Sequence, residues 1–491
     1  MIYQSTRGSQ NYKTAPQAII KGIAEDKGLY VPVELPKLPM AIDEMVGKSY
    51  QEIAKAIMGS FFDDFTEEEL SSCIEGAYDN KFEAEGVVPV VHAGDGFFLE
   101  LYHGKTAAFK DMALSILPYF MTTSLKKEGV TDKICILAAT SGDTGKAALE
   151  GFADVEGTEI VVFYPYGAVS QVQERQMTSQ EGKNTHVFAI KGNFDNAQTG
   201  VKKIFNDDSF AEQLAKEGVR LSSANSINIG RLVPQVAYYV YGYVKLVEQG
   251  VLKAGETANV VVPTGNFGNI LAAYFAKEMG VPFGKFICAS NENKVLTDFI
   301  NSGVYDIRRE FFVTNSPSMD ILISSNLERL LYLMSGRDGQ MVKDWMTGLE
   351  TEKIYEVNQV VKEGLKQFYG GYCDQTETEV AIGEMYKDHG YLMDTHTAVA
   401  YKVYQDYVKE TGDKAPTLIA STASPYKFAE SVGRAIGLEE AVDGFAAVRQ
   451  LEATTGVRVQ SGLKDLDKKP VLHTGVVEVD GMMDAVLSGL K

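Results

Sequence analysis

Cysteine is scarce in this sequence, and its spacing argues against a disulfide framework and against a cysteine-based metal site. Only four cysteines occur among 491 residues, and no two of them form a CxxC pair. Cys135 and Cys288 stand inside apolar runs, where a free cysteine usually behaves as a small buried hydrophobic residue. Such usage fits a reducing compartment, so the sequence predicts a cytoplasmic protein.

Blocks of basic residues and long hydrophobic runs are also absent. The formal net charge is -19, with 66 acidic residues against 47 basic ones, whereas nucleic-acid binding needs Lys and Arg to displace counterions from phosphates. No apolar run reaches the roughly 20 residues of a membrane span, and the opening MIYQSTRGSQ has no apolar signal segment. We therefore expect neither a nucleic acid nor a membrane as partner, but a small molecule. We also expect a monomer or a homodimer.

The composition and length are those of a folded protein with several domains. Hydrophobic residues make up 45% and charged residues 23%, which is ordinary for a globular protein, and the length predicts about two to four domains. Near the N-terminus, helical patterns dominate at 15–25, 48–60 and 66–78. The predicted parts are a mostly helical N-terminal domain at 1–90, a main region at 91–440 with a helical insertion near 295–385, and a strand–helix segment at 441–491.

Short apolar runs rich in β-formers alternate with helical segments from about residue 130 onwards. Strands alternating with helices at this spacing indicate βαβ units and a mainly parallel sheet, hence an α/β fold. In such sheets ligands bind beyond the carboxyl ends of the strands, which is where the motifs below fall. The predicted strands are 133–139, 159–165, 186–192, 219–225, 258–263, 285–290 and 416–421.

Two glycine-rich loops each follow a predicted strand and open a helix: PTGNFGN at 263–269 and TSGDTG at 140–145. Glycines permit close backbone approach, and a helix start presents unpaired amides to an anion. The first loop lacks the GK[ST] and GxGxxG patterns of nucleotide sites, and it suits a cofactor phosphate. The second could hold a carboxylate. The alternatives are an ordinary turn for the first and helix capping by Ser141, Asp143 and Thr144 for the second.

The segment HGKTAAFKD at 103–111 places Lys110 at the start of a predicted helix that runs on through FKDMALSILPYFMTTSLKK. The positive end of a helix dipole disfavours an ammonium ion. A larger fraction of a lysine there is the neutral amine, which can attack an aldehyde or take a proton. The alternative is an exposed helix lysine without a function.

Two further motifs end predicted strands with small polar residues. SSANSINIGRL at 222–232 contains Arg231, Asn225 and Ser226, which together could bind a phosphate because a guanidinium matches its geometry. A structural salt bridge of Arg231 is the alternative. STASPYKFAES at 421–431 places Thr422 and Ser424 at the carboxyl edge of a strand, where they could also be part of a turn with proline at the first helical position.

The order of the five motifs resembles the β-family, or tryptophan-synthase-like fold, of pyridoxal-phosphate enzymes. Within that fold the chain is similar to the threonine synthase family in its long form, because YQSTRG at 3–8 and KGIAEDKGLYVP at 21–32 look like its N-terminal signature. The resemblance covers nearly the whole chain. It implies two open, mainly parallel sheets flanked by helices, known as fold type II, beside a mostly helical N-terminal domain, and pyridoxal 5′-phosphate as cofactor.

The resemblance also implies roles for individual residues. Lys110 would bind the cofactor as a Schiff base, Thr422 would bond the pyridine nitrogen, and Asp143 would lie near the 3′-oxygen. The residues implied for the cofactor phosphate are Gly265, Asn266, Phe267, Gly268 and Asn269. Those implied for the substrate carboxylate are Thr140, Ser141 and Gly142, and the candidates for the substrate phosphate are Thr144, Asn225, Ser226 and Arg231.

Two positions depart from the family pattern. The fifth motif has Ser424 where the family usually has His, so any role of that imidazole at the cofactor edge is in doubt. Position 105 is Lys where Pro is common. Lys105 could add to an anion site or could point to solvent.

The reaction that the resemblance implies converts O-phospho-L-homoserine and water to L-threonine and phosphate, which makes the protein a lyase of threonine biosynthesis. Two other reactions of the same enzyme class stay open: a dehydratase, against which the N-terminal signature argues, and a phospho-lyase that gives 2-oxobutyrate and ammonia. Outside that class, a non-catalytic metabolite-binding protein could share the fold. The intact lysine motif argues against it.

Overall fold

The computed structural model describes residues 1–140 and 142–490, and of Asp195 it describes the backbone alone. The strands are β1 (Ile2–Ser5), β2 (Lys13–Thr14), β3 (Tyr30–Pro32), β4 (Val90–Ala93), β5 (Gly96–Glu100), β6 (Lys133–Ala139), β7 (Thr158–Pro165), β8 (Thr185–Ile190), β9 (Val219–Ser222), β10 (Ala258–Pro263), β11 (Phe283–Ser290), β12 (Val304–Asp306), β13 (Ile354–Glu356), β14 (Phe368–Tyr372), β15 (Thr417–Ser421) and β16 (Gly475–Val477).

The helices are α1 (Ala15–Lys21), α2 (Ile42–Met45), α3 (Tyr50–Phe61), α4 (Glu67–Tyr78), α5 (Asp111–Leu114), α6 (Leu117–Lys127), α7 (Asp143–Phe152), α8 (Gln171–Thr178), α9 (Phe194–Phe205), α10 (Asp208–Lys216), α11 (Ile229–Glu248), α12 (Gly268–Met279), α13 (Val295–Ser302), α14 (Leu327–Met334), α15 (Gly339–Thr351), α16 (Gln359–Leu365), α17 (Gln375–His389), α18 (Thr395–Thr411), α19 (Ala429–Ala435), α20 (Gly444–Thr455) and α21 (Met482–Gly489). Short 3₁₀ turns lie at Pro317–Met319, Pro425–Phe428, Leu466–Lys468 and Val479–Gly481. Across the described residues, none of these helices has the length and apolarity needed to cross a bilayer.

Two open sheets form the centre of the main region, and helices pack against both. One has the strand order β14-β11-β10-β15-β5-β4 and is parallel except for β4, which runs antiparallel to β5. The other has the order β16-β8-β7-β6-β9 and is parallel throughout. The prediction of two mainly parallel sheets is therefore confirmed. β9 ends at Ser222, earlier than the predicted 219–225, because the small polar residues after it form the turn before α11.

The N-terminal region contains the predicted helices and, in addition, a small antiparallel sheet in which β1 lies between β2 and β3. The helices α3 and α4 begin at capping boxes: the hydroxyls of Ser49 and Thr66 accept from the N–H groups of Glu52 and Glu69, whose carboxylates accept in return. The strands contain only two to four residues. Such runs are too short to show the alternation that identifies a strand in a sequence.

The helix predicted to start at Lys110 is interrupted after its first turn. α5 has only four residues, and α6 begins at Leu117 with Pro118 in its first turn. Proline has no N–H to donate and its ring clashes with the preceding turn, so it ends the helix before it. The prediction of one continuous helix was therefore wrong. Because α5 has so few aligned peptides, its dipole alone is a weak reason for a lowered pKa of Lys110.

The long helix α11 lies inside the protein and connects the N-terminal region with the large sheet. It packs against α3, α5 and α12, and nearly all of its side chains are buried, as expected for a helix that is apolar on every side. Its few polar residues include Arg231 and Gln235, one turn apart and both buried. A buried helix that carries polar groups on one face suggests a site beside that face.

Another buried side chain, Arg329, joins three parts of the chain. Its Nε donates to the carbonyl oxygen of Tyr30 at 2.9 Å, and its two terminal nitrogens donate to Asn326 Oδ1 and to the carbonyl oxygen of Ile227. Tyr30 belongs to the N-terminal sheet, and Ile227 lies in the turn before α11. One guanidinium thus fixes the N-terminal region against the segment that leads to Arg231.

Candidate active site

Lys110 lies at the carboxyl edge of the large sheet, beside the turn that follows β15. The N–H of Phe109 donates to the carbonyl oxygen of Thr422 at 2.8 Å, and Ala108 forms an isolated antiparallel bridge with Ala423. Because Thr422 directly follows β15, this pairing holds the lysine backbone next to the residue predicted to bond the pyridine nitrogen.

The Lys110 amine lies in a buried cluster of charges. Its Nζ is 3.7 Å from Asp143 Oδ2 and donates to Ser318 Oγ at 3.3 Å. Burial removes water from the ammonium form and lowers the pKa of Lys110; Asp143 opposes this effect, whereas Lys427 and Arg231 lower the pKa further. The lowered pKa of Lys110 was thus predicted in the right direction but from the wrong cause, since burial and like charges act here rather than a long helix dipole.

Lys427, a residue of the fifth motif for which no role was predicted, is the nearest cation to Asp143. Its Nζ lies 2.7 Å from Asp143 Oδ1, and its side chain is fully buried. Gln173 Nε2 donates to the same oxygen at 3.0 Å. Burial alone would raise the pKa of Asp143, but Lys427 and Lys110 hold that pKa far below its usual range. Asp143 is therefore a carboxylate at any physiological pH.

Asp111 fixes the loop that precedes Lys110. Its carboxylate accepts from the N–H of Thr106 at 2.8 Å and from the Thr106 hydroxyl at 2.5 Å. Burial nevertheless raises the pKa of Asp111 to about 6. A Cβ at Gly104 would lie 2.4 Å from Asp111 Oδ2, so the HGKT turn requires glycine at this position.

The loop between β10 and α12 carries the residues predicted for the cofactor phosphate. Phe267 has a φ of 65°, in the left-handed region, which turns the chain sharply into α12. A Cβ at Gly265 would lie 2.6 Å from the carbonyl oxygen of Ser318, the residue whose hydroxyl contacts Lys110. The predicted lysine and the predicted phosphate loop therefore both contact Ser318.

The carbonyl groups of this loop are bonded to the segment before α14. The Ser324 hydroxyl donates to the carbonyl oxygen of Gly265 at 2.6 Å, and Asn326 donates to that of Asn266 at 3.0 Å. In a trans peptide the N–H points opposite to the C=O. The N–H groups of Asn266 and Phe267 therefore point away from that segment, which leaves them as donors for an anion.

Asn269 has one half of its amide fixed and the other half free. Its Oδ1 accepts from the hydroxyls of Tyr238, at 2.8 Å, and of Tyr239. Its buried Nδ2 has no hydrogen-bond partner within the described chain. Buried donors are nearly always satisfied in folded proteins, so this amide indicates an acceptor that a bound phosphate would supply.

Arg231 is a buried cation without a carboxylate partner in the part of the chain that the structure describes. One terminal nitrogen donates to the carbonyl oxygen of Ala224 at 2.8 Å, whereas the buried Nε has no partner among the described residues. Burial lowers the pKa of Arg231 to about 10. A guanidinium that is buried without a counterion is costly unless an anion binds to it. The structure therefore gives no support to the salt-bridge alternative.

The remaining candidates for the substrate phosphate are more exposed. Thr144 and Ser226 are half-buried, and Asn225 is exposed. Asn225 accepts from the N–H of Asn228 through its carbonyl oxygen, which shapes the turn before Arg231. Their roles as phosphate ligands stay predictions.

The turn predicted for the substrate carboxylate is ordered by Thr140. Its hydroxyl oxygen accepts from the N–H groups of Gly142 at 3.0 Å and Gly145 at 2.9 Å. Gly142 has a φ of 144°, and a Cβ there would lie 2.5 Å from Gln173 Nε2. Ser141 lies outside the described residues. Whether this turn binds a carboxylate stays a prediction.

The two positions that depart from the family pattern have structural partners. The Ser424 hydroxyl bonds Gln460 Oε1 at 2.6 Å and accepts from the N–H of Tyr426 at 3.2 Å, which caps the 3₁₀ turn. Lys105 is half-exposed and lies 3.3 Å from Glu150 Oε1. Because its charge is already paired with a carboxylate, Lys105 is a poor candidate for an anion ligand.

Sequence reasoning missed three residues that contact the site: Lys427, Gln173 and Ser318. Lys427 follows the quoted proline turn by two positions, but nothing in the sequence shows that it is buried. Gln173 lies on α8, which looked like an ordinary helix. Ser318 lies in the region predicted as a helical insertion, and the only signal was the SPS sequence around Pro317, which is typical of a turn.

Taken together, these residues fit a phosphorylated aldehyde. The site offers a lysine with a lowered pKa, a loop whose N–H groups at 266 and 267 point away from the neighbouring segment, and an Asn269 amide without a partner among the described residues. Two lysines flank the Asp143 carboxylate, and Arg231 is near enough to Lys110 to lower its pKa. Lys110 would bind the aldehyde and the loop at 265–269 its phosphate, which leaves Arg231 for a second anion. Pyridoxal 5′-phosphate has both the aldehyde and the phosphate.

Comparison with known families agrees with the site. Residues 2–78 match the family "Threonine synthase N terminus", residues 92–423 match "Pyridoxal-phosphate dependent enzyme", and residues 397–468 match "Threonine synthase, C-terminal". The threonine synthase of Saccharomyces cerevisiae is 36% identical over 466 residues, which cover 89% of each chain. A crystal structure of PLP-bound threonine synthase from Brucella melitensis has 35% identity and a TM-score of 0.88, and it covers 100% of this chain and 99% of that one.

A second group of relatives shares more sequence over a smaller part of its own length. Human threonine synthase-like 1 is 42% identical over 437 residues, which cover 86% of this chain and 58% of that protein. The chain thus spans less than two thirds of the length of these relatives. The matches that cover both partners almost completely, together with the family matches along the chain, show that the protein belongs to the threonine synthase family of pyridoxal-phosphate-dependent enzymes.

Proposed function

We propose that the protein is a threonine synthase, which converts O-phospho-L-homoserine and water to L-threonine and phosphate. The observation that carries this proposal is Arg231, a buried cation that has no carboxylate partner among the described residues and is close enough to Lys110 to lower its pKa. A substrate that places an amino acid at Lys110 and a phosphate at Arg231 would neutralise this cation. Phosphohomoserine carries both groups on one short chain.

Each residue of the site then has a defined task. When bound, the cofactor withdraws electrons from the substrate and so makes its Cα and Cβ protons removable. The Lys110 amine takes the Cα proton and passes it to the substrate phosphate, which frees the amine to take the Cβ proton; Asp143 beside it stabilises the ammonium each time. The C–O bond at Cγ breaks, and hydrogen phosphate leaves toward Arg231. Lys110 gives its proton to Cγ, the hydroxyl of a water adds at Cβ, and the other proton of that water reaches Cα through Lys110, which completes L-threonine.

The experiment is a product analysis with purified protein, pyridoxal 5′-phosphate and O-phospho-L-homoserine. The proposal requires threonine and phosphate in equal amounts, and the Lys110→Ala variant must form neither above background. Phosphate release without threonine would refute a threonine synthase.

A second candidate is a phospho-lyase that gives 2-oxobutyrate, ammonia and phosphate. The 42% identity to threonine synthase-like 1 is the reason to keep it, because that protein is named as similar to a threonine synthase and not as a threonine synthase. The same assay separates the two: 2-oxobutyrate and ammonia in place of threonine would support the phospho-lyase.

A further inference from the structure

Ser318 is held from two sides by its backbone while its hydroxyl contacts Lys110. Its carbonyl oxygen packs against Gly265, where a Cβ would lie 2.6 Å away, and its N–H donates to His396 Nε2 at 3.1 Å. Its hydroxyl accepts from Lys110 Nζ at 3.3 Å. We propose that Ser318 orients the Lys110 amine and that His396 and Asp394 are the positioning residues that hold Ser318. This inference rests on the proposed function only in that Lys110 binds the cofactor.

The geometry fixes the state of the His396 ring. A backbone N–H can only donate, so Nε2 must be the acceptor and must carry no proton. Nδ1 therefore carries the proton and donates to Asp394 Oδ2 at 2.8 Å. Both side chains are buried, and such a carboxylate partner is what holds an imidazole in one tautomer and orientation. His396 is thus a fixed acceptor for the turn at 317–319.

Asp394 is also connected, through Thr397, to the end of β15. It caps α18 by accepting from the N–H of Thr397 at 3.1 Å, and it bonds the Thr397 hydroxyl. That hydroxyl lies 3.2 Å from Ser421 Oγ, and Ser421 directly precedes Thr422. One buried carboxylate therefore connects the turn beside the Lys110 amine with the strand end that carries Thr422.

A hydroxyl suits this position because it can serve the amine in both protonation states. Ser318 Oγ accepts a hydrogen bond from an ammonium and can donate one to the lone pair of a neutral amine. Without this hydroxyl the amine keeps its contact with the Asp143 carboxylate at 3.7 Å, which favours the ammonium form. Loss of Ser318 would both misalign the amine and keep it protonated, and both effects slow its attack on an aldehyde.

The test separates attack by Lys110 from binding in the pocket, with the full-length protein freed of cofactor. The rate at which added pyridoxal 5′-phosphate becomes linked to Lys110 is followed by absorbance. The affinity for 4-deoxypyridoxine 5′-phosphate, which has no aldehyde and cannot link, reports on the rest of the pocket. For Ser318→Ala we expect linkage about tenfold slower, the effect of one lost hydrogen bond, with an affinity within about twofold of wild type.

Variants of His396 test the positioning role, and Ser316 gives a control in the same turn. His396→Leu removes the acceptor and should slow linkage like Ser318→Ala, whereas His396→Gln, whose Oε1 can replace Nε2 as acceptor, should restore most of the rate. Ser316→Ala removes a hydroxyl that bonds Asn291 rather than Lys110 and should leave the rate unchanged. Unchanged linkage in Ser318→Ala, or equal losses of linkage and affinity, would overturn the inference. Because no variant is tested by its reaction product, a failed threonine assay would leave this result intact.

Discussion

The Nζ of Lys427 lies 2.7 Å from Oδ1 of Asp143, whereas the Lys110 amine lies 3.7 Å from Oδ2 of the same carboxylate. One carboxylate therefore faces two lysines, and the nearer cation has the stronger interaction with it. Lys427 therefore weakens the attraction between Asp143 and the Lys110 ammonium. As a like charge, it also lowers the pKa of Lys110 directly. A buried carboxylate can thus stand beside a reactive amine without locking it as an ammonium ion.

Replacement of Lys427 by Met should make Lys110 harder to deprotonate. Asp143 would then have Lys110 as its only nearby lysine, so the pKa of Lys110 would rise toward its ordinary value. We expect the pH profile of cofactor linkage to move to higher pH and the rate at pH 7 to fall at least about tenfold. The measurement is the linkage rate between pH 6 and pH 10. Lys105→Met, which removes a half-exposed lysine paired with Glu150, serves as the control and should not move the profile.

Lys110→Ala should lower turnover by several orders of magnitude, because the variant has no amine at this position to bind the cofactor aldehyde or to move protons. The loop at 265–269, which we propose to hold the cofactor phosphate, does not include this side chain. Binding of 4-deoxypyridoxine 5′-phosphate, measured by calorimetry, should therefore stay close to that of the wild type. Wild-type turnover in this variant would contradict the assignment of the lysine.

Arg231→Met should weaken substrate binding without destabilising the protein. Loss of a charged hydrogen-bond donor to a phosphate predicts an increase in KM for O-phospho-L-homoserine of roughly 10- to 100-fold. Cofactor affinity should change far less. The free energy of unfolding should remain near that of the wild type, because removal of an unpaired buried cation offsets the lost bond to Ala224. Arg220→Met, at an exposed ion pair with Asp132, provides the comparison, and equal losses of substrate and cofactor binding would argue against the role of Arg231.

Asp111→Asn should change how stability depends on pH. The pKa of Asp111 is about 6 in the folded protein, above the value of about 4 in an unfolded chain. Its contribution to stability is therefore fully present below pH 4 and is lost as the pH rises through 6. The wild type should lose about 1–2 kcal/mol between pH 5 and pH 8 that the variant does not lose.

Urea unfolding at pH 5 and pH 8 measures this difference. Asp306→Asn gives the matched control, since the Arg308 side chain lowers the pKa of that half-buried carboxyl to about 2 and it stays ionised throughout this range. If Asp111→Asn and Asp306→Asn respond alike to pH, burial of Asp111 is not the cause.

The parts of the fold that follow a period were predictable from the sequence. The strands β6 to β8, β10 and β15 are apolar runs of five to eight residues, and helical segments stand between them. Runs of this length with this spacing are recognisable in the sequence as buried strands. The three-stranded N-terminal sheet was not predicted, since its strands owe their pairing to neighbours distant in the sequence. The break between α5 and α6 was signalled by Pro118, which the helical pattern of the surrounding residues concealed.

The same distinction holds for the site. Lys110 and the loop at 265–269 stand in local motifs, and their closeness follows from the rule that parallel strands end at one edge. Lys427, Ser318 and His396 come from three different segments, and each acts through a contact that only the fold creates: with Asp143, with Lys110 and with Ser318, respectively. Burial of a single charged or hydroxyl side chain depends on the whole fold, and one sequence has no local mark for it.

The contacts of Arg329 decide how the first 90 residues relate to the chemistry. If the chain were cut after residue 90, this guanidinium would lose the Tyr30 acceptor while remaining enclosed, and it would have to move toward water. Its other two anchors, Asn326 and Ile227, lead to the two places where we expect anions to bind. The N-terminal region therefore supports both of these segments through one side chain, and we expect a protein shortened in this way to bind phosphates less tightly.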